Sequence, residues 1–431
     1  MNNLNFLVDV LKDSPVFKTL EKNVKPGRTV CASGLSTINK SNIIYALCRL
    51  KGVTAFCLAS DEKEAQTLCN DLSCMGLRAY VYPVRDFNFL DFQSRSHEYE
   101  HARLKVLLKL LNHECDVAIA CVDAAAQLTV PRNVLEQSVI EFEEGRELSL
   151  EKATKALTLL GYERFDAVEG SGQFSLRGGI LDFFMPDSDY PVRCEFWGDE
   201  ITDLSYFDIE TQRRFKKADK ITLSPSTEIV IEDRAALADK IEHKAKLLRS
   251  KNSAKAKEKL FSEAELIRSG AMIANADKFI NQIYDKPESL FDYLDRNTLV
   301  FASEFTAIQE RGKSMDFISN ETLMQGFEDG TLCRGFDRFA LTFNECTEFL
   351  QSHGTIVLEN FVHGSMPIKL SEIISFSTKQ LSAWGGSYKQ LKEDVDGLFT
   401  PESRGVIFAG TERAAKNLCD TFNADGIKAV Y

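Results

Sequence analysis

The first 125 or so residues alternate short apolar runs with amphipathic segments, and this alternation constrains the fold most strongly. The runs RTVCASG, VTAFCLAS, AYVYP and DVAIACV are typical of buried strands. The segments between them have helical spacing; one begins near Asp61 and places Ala65, Leu68 and Leu72 on one face. Strands that alternate with helices form a parallel sheet covered by helices, so we predict an α/β fold.

The pattern changes near Pro131. Residues 133–222 contain short strands, many charges and glycine or proline turns, which predict a small α+β domain built on antiparallel hairpins. Residues 233–283 are rich in Lys, Ala and Glu and predict a charged, solvated helix pair. Strand-like segments return at NTLVFASE, FALTF and TIVLENF, and we expect them to rejoin the first sheet.

These changes divide the chain into four predicted segments. Residues 1–132 and 223–365 form the two parts of the α/β domain, and residues 133–222 are inserted between them. Residues 366–431 form a small C-terminal α/β domain with strands at RGVIFAG and IKAVY. The sequence stops on an apolar run without a closing element, so we expect a fragment of a longer protein.

Composition argues against several classes of function. No apolar run reaches the about 18 residues of a membrane span, and no signal peptide is recognisable, so we expect a cytoplasmic protein without a membrane partner. The net charge of −12 has the wrong sign for neutralising phosphates, so we expect little or no direct nucleic-acid binding. The eleven cysteines include no C-x-x-C pair, and His97 and His101 lack a third ligand nearby; we expect free thiols and no metal site.

The stretch GLSTINKS follows a strand and opens a helix, as a phosphate-binding loop does. Gly34, Lys40 and Ser41 match the pattern G-x-x-x-x-G-K-[ST], but Asn39 replaces the second glycine, which lets backbone N–H groups approach phosphates. Asp123 ends a strand without the second acidic residue that would help to hold Mg²⁺. We predict a degenerate loop kept for its geometry, without catalytic residues; whether its amides bind an anion stays open.

The apolar residues of PVRCEFWGDE alternate with Arg193, Glu195 and Trp197, the pattern of a half-buried strand. One of only two tryptophans therefore lies on the side expected to face water. Arg177 in QFSLRGG alternates outward in the same way. Since Arg and Trp are enriched at binding hot spots, one interpretation is a partner-binding surface of Arg177, Arg193 and Trp197. The other interpretation is that Trp197 packs under a neighbouring domain and that the arginines pair with Glu195 or Asp199.

Residues 172–214 resemble the second domain shared by the repair helicase UvrB and the bacterial transcription-repair coupling factors (Mfd). The elements RGG-I-L-D-F-F, P-V-R-x-E-F-x-G-D-E-I and F-D-x-E-T-Q-R recur in this order in that family. Two features favour the coupling factors: Asn39, and the short passage YPVRDFNFLDFQSRSHEYEHARLK, which leaves little room for the DNA-inserting hairpin of UvrB. The resemblance covers most of residues 28–431 and is strongest in the middle.

The resemblance implies a helicase-like parallel-sheet domain with a degenerate loop and an inserted domain that binds UvrA. The UvrA-binding residues of the family match Arg177, Arg193 and Trp197, the last of which replaces the usual phenylalanine. The chain would be the non-catalytic N-terminal module that recruits excision repair to a stalled RNA polymerase. ATP, Mg²⁺, DNA and RNA polymerase would then be ligands of a C-terminal translocase outside this chain. We assign the ETQRR tag, residues 210–214, a structural role in a turn.

The alternative function is an ATP-dependent DNA-damage helicase of the UvrB type. Asn39, the absence of a D-E-x-H box and the net charge of −12 disfavour it. ATP hydrolysis stimulated by damaged DNA would support it. A third possibility is a scaffold that binds a different partner through the same face.

Overall fold

A computed structural model describes residues 5–85, 97–249, 253–270, 276–361, 366, 368–378, 384–400, 403 and 405–431. The chain divides into two compact units, Met1–Phe376 and Ser377–Tyr431. In the described residues the helices are α1 Asn5–Asp13, α2 Pro15–Asn23, α3 Thr37–Lys51, α4 Glu62–Cys74, α5 Glu98–Leu111, α6 Val122–Ala126, α7 Arg132–Gln137, α8 Leu150–Leu159, α9 Arg234–Leu247, α10 Ser253–Ser269, α11 Ile280–Ile283, α12 Phe305–Asp329, α13 Phe343–His353, α14 Tyr388–Leu398 and α15 Glu412–Ala424, with 3₁₀ turns at Ala276–Phe279 and Leu290–Tyr293.

The strands, also in chain order, are β1 Val30–Ser33, β2 Ala55–Ala59, β3 Ala79–Val81, β4 Val117–Cys121, β5 Ile140–Glu143, β6 Glu163–Arg164, β7 Gln173–Arg177, β8 Ile180–Phe183, β9 Val192–Trp197, β10 Glu200–Phe207, β11 Arg214–Lys217, β12 Lys220–Leu223, β13 Leu299–Ser303, β14 Thr355–Leu358 and β15 Glu372–Ser375.

Seven strands form the large sheet in the order β15-β1-β14-β13-β2-β4-β3, and each neighbouring pair is parallel. Strands β1, β2, β4 and β14 are buried along their whole length, as expected for a parallel sheet with both faces covered. Strands from before and after residues 133–222 are interleaved in this order. The strand predicted at FALTF is wrong: only an isolated bridge between Gln127 and Ala340 forms there, and Phe343 begins α13. The predicted α/β fold with a parallel sheet is confirmed.

The segment between these two sets of strands forms its own sheets. Strands β11-β10-β9-β8-β7-β6 make a six-stranded sheet that is antiparallel except for β6 and β7, and β5 pairs with β12. Helix α8 contributes Ala153 and Leu157 to a core that also contains Phe142, Phe174 and Phe183. The predicted antiparallel hairpins are therefore confirmed.

The C-terminal region differs from the prediction in two respects. Strand β15 pairs with β1, so the first compact unit extends to Phe376 rather than ending at the predicted boundary of 365. Residues 377–431 contain α14 and α15, and the predicted strands at RGVIFAG and IKAVY are not formed in the described residues. An apolar run becomes a strand only where another strand is available to pair with it.

The predicted helix pair consists of α9 and α10. It is not fully solvated as predicted, because one side of each helix is buried. Leu237, Ile241, Ala264 and Ile267 are buried in a small apolar cluster. The exposed faces carry the charged residues, so each helix is amphipathic.

A buried ion pair connects helix α5 to the segment that follows the inserted sheets. Arg103 and Glu228 have no exposed side-chain surface, and Nε of Arg103 lies 2.6 Å from Oε1 of Glu228. Arg103 also donates to the carbonyl of Pro83 at 3.1 Å and to the side chain of Gln127 at 2.8 Å, and it lies 4.1 Å above the ring of Tyr82. Because buried charges are stable only when paired and hydrogen-bonded, this contact fixes the segment after β12 against helix α5.

Candidate partner-binding surface and degenerate phosphate loop

Strand β9 has the predicted alternation. Its apolar residues are buried, Arg193 and Glu195 are half-buried, and Trp197 at its end is 82% exposed. In the described residues, Trp197 therefore does not pack under a neighbouring domain.

The glycine turn between β7 and β8 leaves the indole of Trp197 uncovered. The N–H of Phe196 donates to the carbonyl of Gly179 at 2.8 Å, so this turn lies beside the end of β9. Gly178 has a φ of +62°, which disfavours other residues, and a Cβ at Gly179 would lie 2.7 Å from the carbonyl oxygen of Phe196. The φ of Gly178 and the close approach at Gly179 both favour glycine, and neither residue has a side chain that could cover the tryptophan. On the other side of β9, Trp197 is paired with the exposed Glu200.

The two arginines share one buried carboxylate, that of Asp182 on β8. Arg193 lies 2.7 Å (Nε–Oδ1) and 2.8 Å (Nη2–Oδ2) from Asp182, whose side chain is 1% exposed. Nη2 of Arg177 lies 2.8 Å from the same Oδ2. The hydrogen bonds that Arg193 donates to Asp182 raise the pKa of Arg193 above its ordinary value. The arginines thus pair with a carboxylate, but with neither Glu195 nor Asp199.

The strand register places the predicted residues on one face of the sheet. Arg193 is opposite Asp182, and Arg177 is in register with Ile180 and Glu195 across β7, β8 and β9. Trp197 follows two residues after Glu195 and points to the same side. The structure therefore brings Arg177, Arg193 and Trp197 together on what we call the polar face.

Their exposure differs. The side chain of Arg177 is 50% exposed and that of Arg193 is 13% exposed. Arg193 lies 4.3 Å above the ring of the buried Phe207, which covers one side of its guanidinium group. Arg177 and Trp197 are the accessible members of the polar face.

The ETQRR tag forms the turn after β10, and its predicted structural role is confirmed for Thr211 and Gln212. The carboxylate of Asp208 accepts hydrogen bonds of 2.8 Å from both the N–H and the hydroxyl of Thr211. Gln212 has a φ of +57° and accepts from Arg193 through its side chain at 3.0 Å and its carbonyl at 3.2 Å. Arg214 pairs with Glu195. The tag thus also holds Arg193 in place.

The second site is the degenerate phosphate loop at the end of β1. Gly34 has a φ of +79°, and a Cβ there would collide with the carbonyl of Phe376. Asn39 lies in the first turn of α3, and its side-chain amide donates to Oγ of Ser36 at 2.9 Å. Asn39 therefore has a helical backbone at the position of the second glycine, and does not adopt the left-handed conformation that asparagine tolerates.

The lysine of the loop is bound by acidic residues of the same chain. Nζ of Lys40 lies 2.5 Å from Oε1 of Glu304, 2.9 Å from Oγ of Ser303 and 3.4 Å from Oε1 of Glu64, and Lys40 is 3% exposed. The hydroxyl of Ser41 donates to Asp71 at 3.0 Å. The two side chains that would contact phosphate and Mg²⁺ in a working loop thus have partners within the chain.

The acidic residue at the end of β4 is paired as well. Asp123 lies in the first turn of α6, and its Oδ2 is 2.8 Å from Nη2 of Arg311 on α12. One oxygen of this carboxylate is therefore occupied by an arginine of the same chain.

The chain is similar to proteins of one bacterial repair family. A family model described as the UvrB interaction domain matches residues 140–229, which contain the whole polar face. The transcription-repair-coupling factor of Bacillus subtilis (strain 168) is 26% identical over 428 residues, covering 96% of this chain and 36% of the relative. The predicted resemblance to the coupling-factor family is confirmed.

Two further transcription-repair-coupling factors support this conclusion. That of Staphylococcus epidermidis strain RP62A is 24% identical over 371 residues, covering 81% of this chain and 30% of the relative. That of Staphylococcus aureus strain USA300 is 21% identical over 426 residues, covering 96% of this chain and 36% of the relative. The chain spans about a third of the length of the curated relatives it matches.

Three further sequence predictions can be compared with the structure. Nine of the eleven cysteines are buried, all eleven are free, and no group of three metal-ligating side chains lies together in the described residues. His97 pairs with Glu100 at 3.0 Å.

In the part of the chain that the structure describes, no helix combines the length and apolar character needed to cross a membrane. The passage in which we expect no UvrB-type hairpin includes residues 86–96, which lie outside the described residues.

Glu359 provides a pH-dependent test of the cluster around Lys40. Burial raises the pKa of Glu359 from 4.5 to about 7, and the charge of Glu304 acts in the same direction. The hydrogen bond that Oε1 accepts from the N–H of Phe305 at 2.8 Å acts in the opposite direction and does not offset them. Between these two pH values the folded chain binds more protons than the unfolded chain, so ionisation of Glu359 lowers stability as the pH rises through this window.

We therefore expect Glu359→Gln to raise the free energy of unfolding at pH 8 by roughly 1 to 3 kcal/mol, and to change it little at pH 4.5. Urea denaturation of both proteins at the two pH values measures this difference. A difference that does not change with pH would show that Glu359 ionises normally in the folded chain.

Proposed function

We propose that this chain is a non-catalytic docking module that binds the excision-repair protein UvrA through Arg177, Arg193 and Trp197. The observation that carries the proposal is Trp197, 82% exposed at the end of β9, within the segment that matches the UvrB interaction domain. A large aromatic side chain beside arginines on an otherwise polar sheet face has the composition of a binding hot spot.

In this proposal the module belongs to a longer protein of the bacterial cytoplasm. The DNA translocase that uses ATP and Mg²⁺, and the contacts with RNA polymerase and DNA, lie outside the 431 residues. Binding of UvrA would bring excision repair to an RNA polymerase stalled at damaged DNA. The net charge of −12 supports a protein partner over a nucleic acid for this part.

The cluster around Lys40 supports the non-catalytic part of the proposal. A bound phosphate would have to displace Glu304 and Glu64 from the lysine and would lie close to both carboxylates. Like charges at this distance repel strongly in a partly buried site. We therefore propose that this chain binds neither ATP nor Mg²⁺ at the loop.

We expect titration calorimetry to detect no ATP binding in the micromolar range, and no ATP hydrolysis with or without damaged DNA. Lys40→Ala should leave both results unchanged. Micromolar binding that is lost in Lys40→Ala, or hydrolysis stimulated by damaged DNA, would overturn this expectation and favour the helicase of the UvrB type.

The proposed partner is tested by measuring the affinity of the purified chain for UvrA. We expect saturable binding by the wild type, and weaker binding by Trp197→Ala and Arg193→Ala. Absence of binding by the wild type, or equal binding by all three proteins, would refute the assignment of UvrA to this face.

A further inference from the structure

We propose a division of roles on the polar face, which rests on the function proposed above. Arg177 makes the direct ionic contact with the partner. Arg193 is a positioning residue, held in place by Asp182 and Gln212, and it acts through the conformation of the face. The two arginines differ in the number of hydrogen-bond donors that their guanidinium groups have left.

Arg193 has almost no donor to offer. A guanidinium group has five N–H bonds. In Arg193, Nε donates to Asp182, Nη2 to both Asp182 and Gln212, and Nη1 to the carbonyl of Gln212, at 2.7 to 3.2 Å. One N–H bond remains, and one side of the group is covered by Phe207. Arg193 could form a bidentate pair with a partner carboxylate only by breaking internal hydrogen bonds.

Arg177 is in the opposite situation. Its guanidinium group donates through Nη2 to Asp182 at 2.8 Å, and its side chain is 50% exposed. This contact uses one of the five donors and fixes the group without covering it. Bidentate pairing of arginine with a carboxylate is stronger and more directional than a single hydrogen bond, and it requires such a free, oriented group.

The geometry also indicates what the partner presents. Two strand spacings and two residues along β9 separate Arg177 from Trp197, which gives roughly 12 Å between their Cα atoms. Glu195 lies between them and pairs with Arg214, so a partner carboxylate is disfavoured there. The partner surface that fits has a carboxylate opposite β7 and an apolar pocket for the indole opposite the end of β9.

The experiment measures UvrA affinity at two salt concentrations for the wild type, Arg177→Ala, Arg193→Ala and Gln212→Gly. Glycine suits the φ of +57° at position 212, so the last variant removes the side chain without straining the turn. Asp199→Asn, which neutralises an exposed carboxylate of the β9–β10 turn, is the matched control for charge and should bind like the wild type.

We expect Arg177→Ala to weaken binding roughly tenfold or more and to reduce its salt dependence, because a charge contact is lost. Gln212→Gly and Arg193→Ala should also weaken binding but keep the wild-type salt dependence. Their effects should not add in the double variant Arg193→Ala with Gln212→Gly, since both substitutions disturb the contact between these two residues. In the free chain, Nε–H of Arg193 should exchange slowly with solvent by NMR, and Asp182→Asn should abolish this protection.

Three results would overturn the division of roles: wild-type affinity in Gln212→Gly, reduced salt dependence in Arg193→Ala, or fast exchange of the Arg193 Nε–H in the wild type. Each can occur while the wild type binds UvrA, in which case the proposed function stands and this inference alone fails. If the wild type does not bind UvrA, the proposed function fails, and the contact assigned to Arg177 fails with it.

Discussion

Arg103→Ala is expected to lower the free energy of unfolding by about 3 to 5 kcal/mol, the cost of removing one partner from a buried ion pair. The substitution leaves Glu228 buried, with the hydroxyl of Thr129 at 2.7 Å and Nη1 of Arg85 at 3.7 Å as its remaining partners. It also removes a cation from the face of the Tyr82 ring. Urea denaturation followed by circular dichroism measures the loss.

The matched control is Arg268→Ala. Arg268 pairs with Asp239 and Glu242 at 2.8 Å but is 41% exposed, so the expected loss is much smaller than that of Arg103→Ala. The double variant Arg103→Met with Glu228→Gln should be more stable than Arg103→Ala, because it leaves no unpaired buried charge. Equal losses for Arg103→Ala and Arg268→Ala would contradict the structural role assigned to the buried pair.

Trp197→Ala is expected to weaken the binding of UvrA by about 2 kcal/mol or more, which is roughly a 30-fold increase in Kd. The indole is 82% exposed in the free chain, so its removal costs contact area in the complex and little in the fold. Surface plasmon resonance measures the affinity, and thermal melting should show an unchanged Tm.

Tyr190→Ala is the matched control for Trp197→Ala. Tyr190 is 48% exposed, belongs to the same domain and precedes β9, whereas Trp197 ends it. It packs against Phe215 and lies at the opposite end of β9 from Trp197, so we expect wild-type affinity. Equal losses in the two variants would indicate a general effect of exposed aromatic residues and not a defined contact at Trp197.

The parallel sheet could be predicted because its strands are continuous apolar runs, such as Ala55–Ala59 and Val117–Cys121, with helical spacing between them. The C-terminal strands could not, because an apolar run such as IKAVY has the composition of a strand whether or not another strand pairs with it. Strand β15 was missed for a related reason. Its position depends on pairing with Val30–Ser33, more than 300 residues earlier in the sequence.

The position of the polar face followed from period-two alternation, which puts Arg193 and Trp197 on one side of β9. The same alternation in GGILDFF puts Asp182 on that side, so this carboxylate could have been found from the sequence. Gln212 could not, since its contact with Arg193 depends on a turn with a positive φ at a residue other than glycine. Long-range pairing also hid the partners of Lys40, because Glu304 is 264 residues away along the chain.

The central claim is that UvrA covers Trp197, and the chain's two tryptophans allow a direct measurement. With both labelled as 5-fluorotryptophan, the ¹⁹F resonance of Trp197 is identified by its absence in Trp197→Phe, and UvrA is added to saturation. We predict that the Trp197 resonance shifts and loses its solvent-isotope effect, because the ring leaves water. The solvent-isotope effect on the Trp384 resonance should not change. A Trp197 resonance that stays solvent-exposed in the saturated complex would contradict the account.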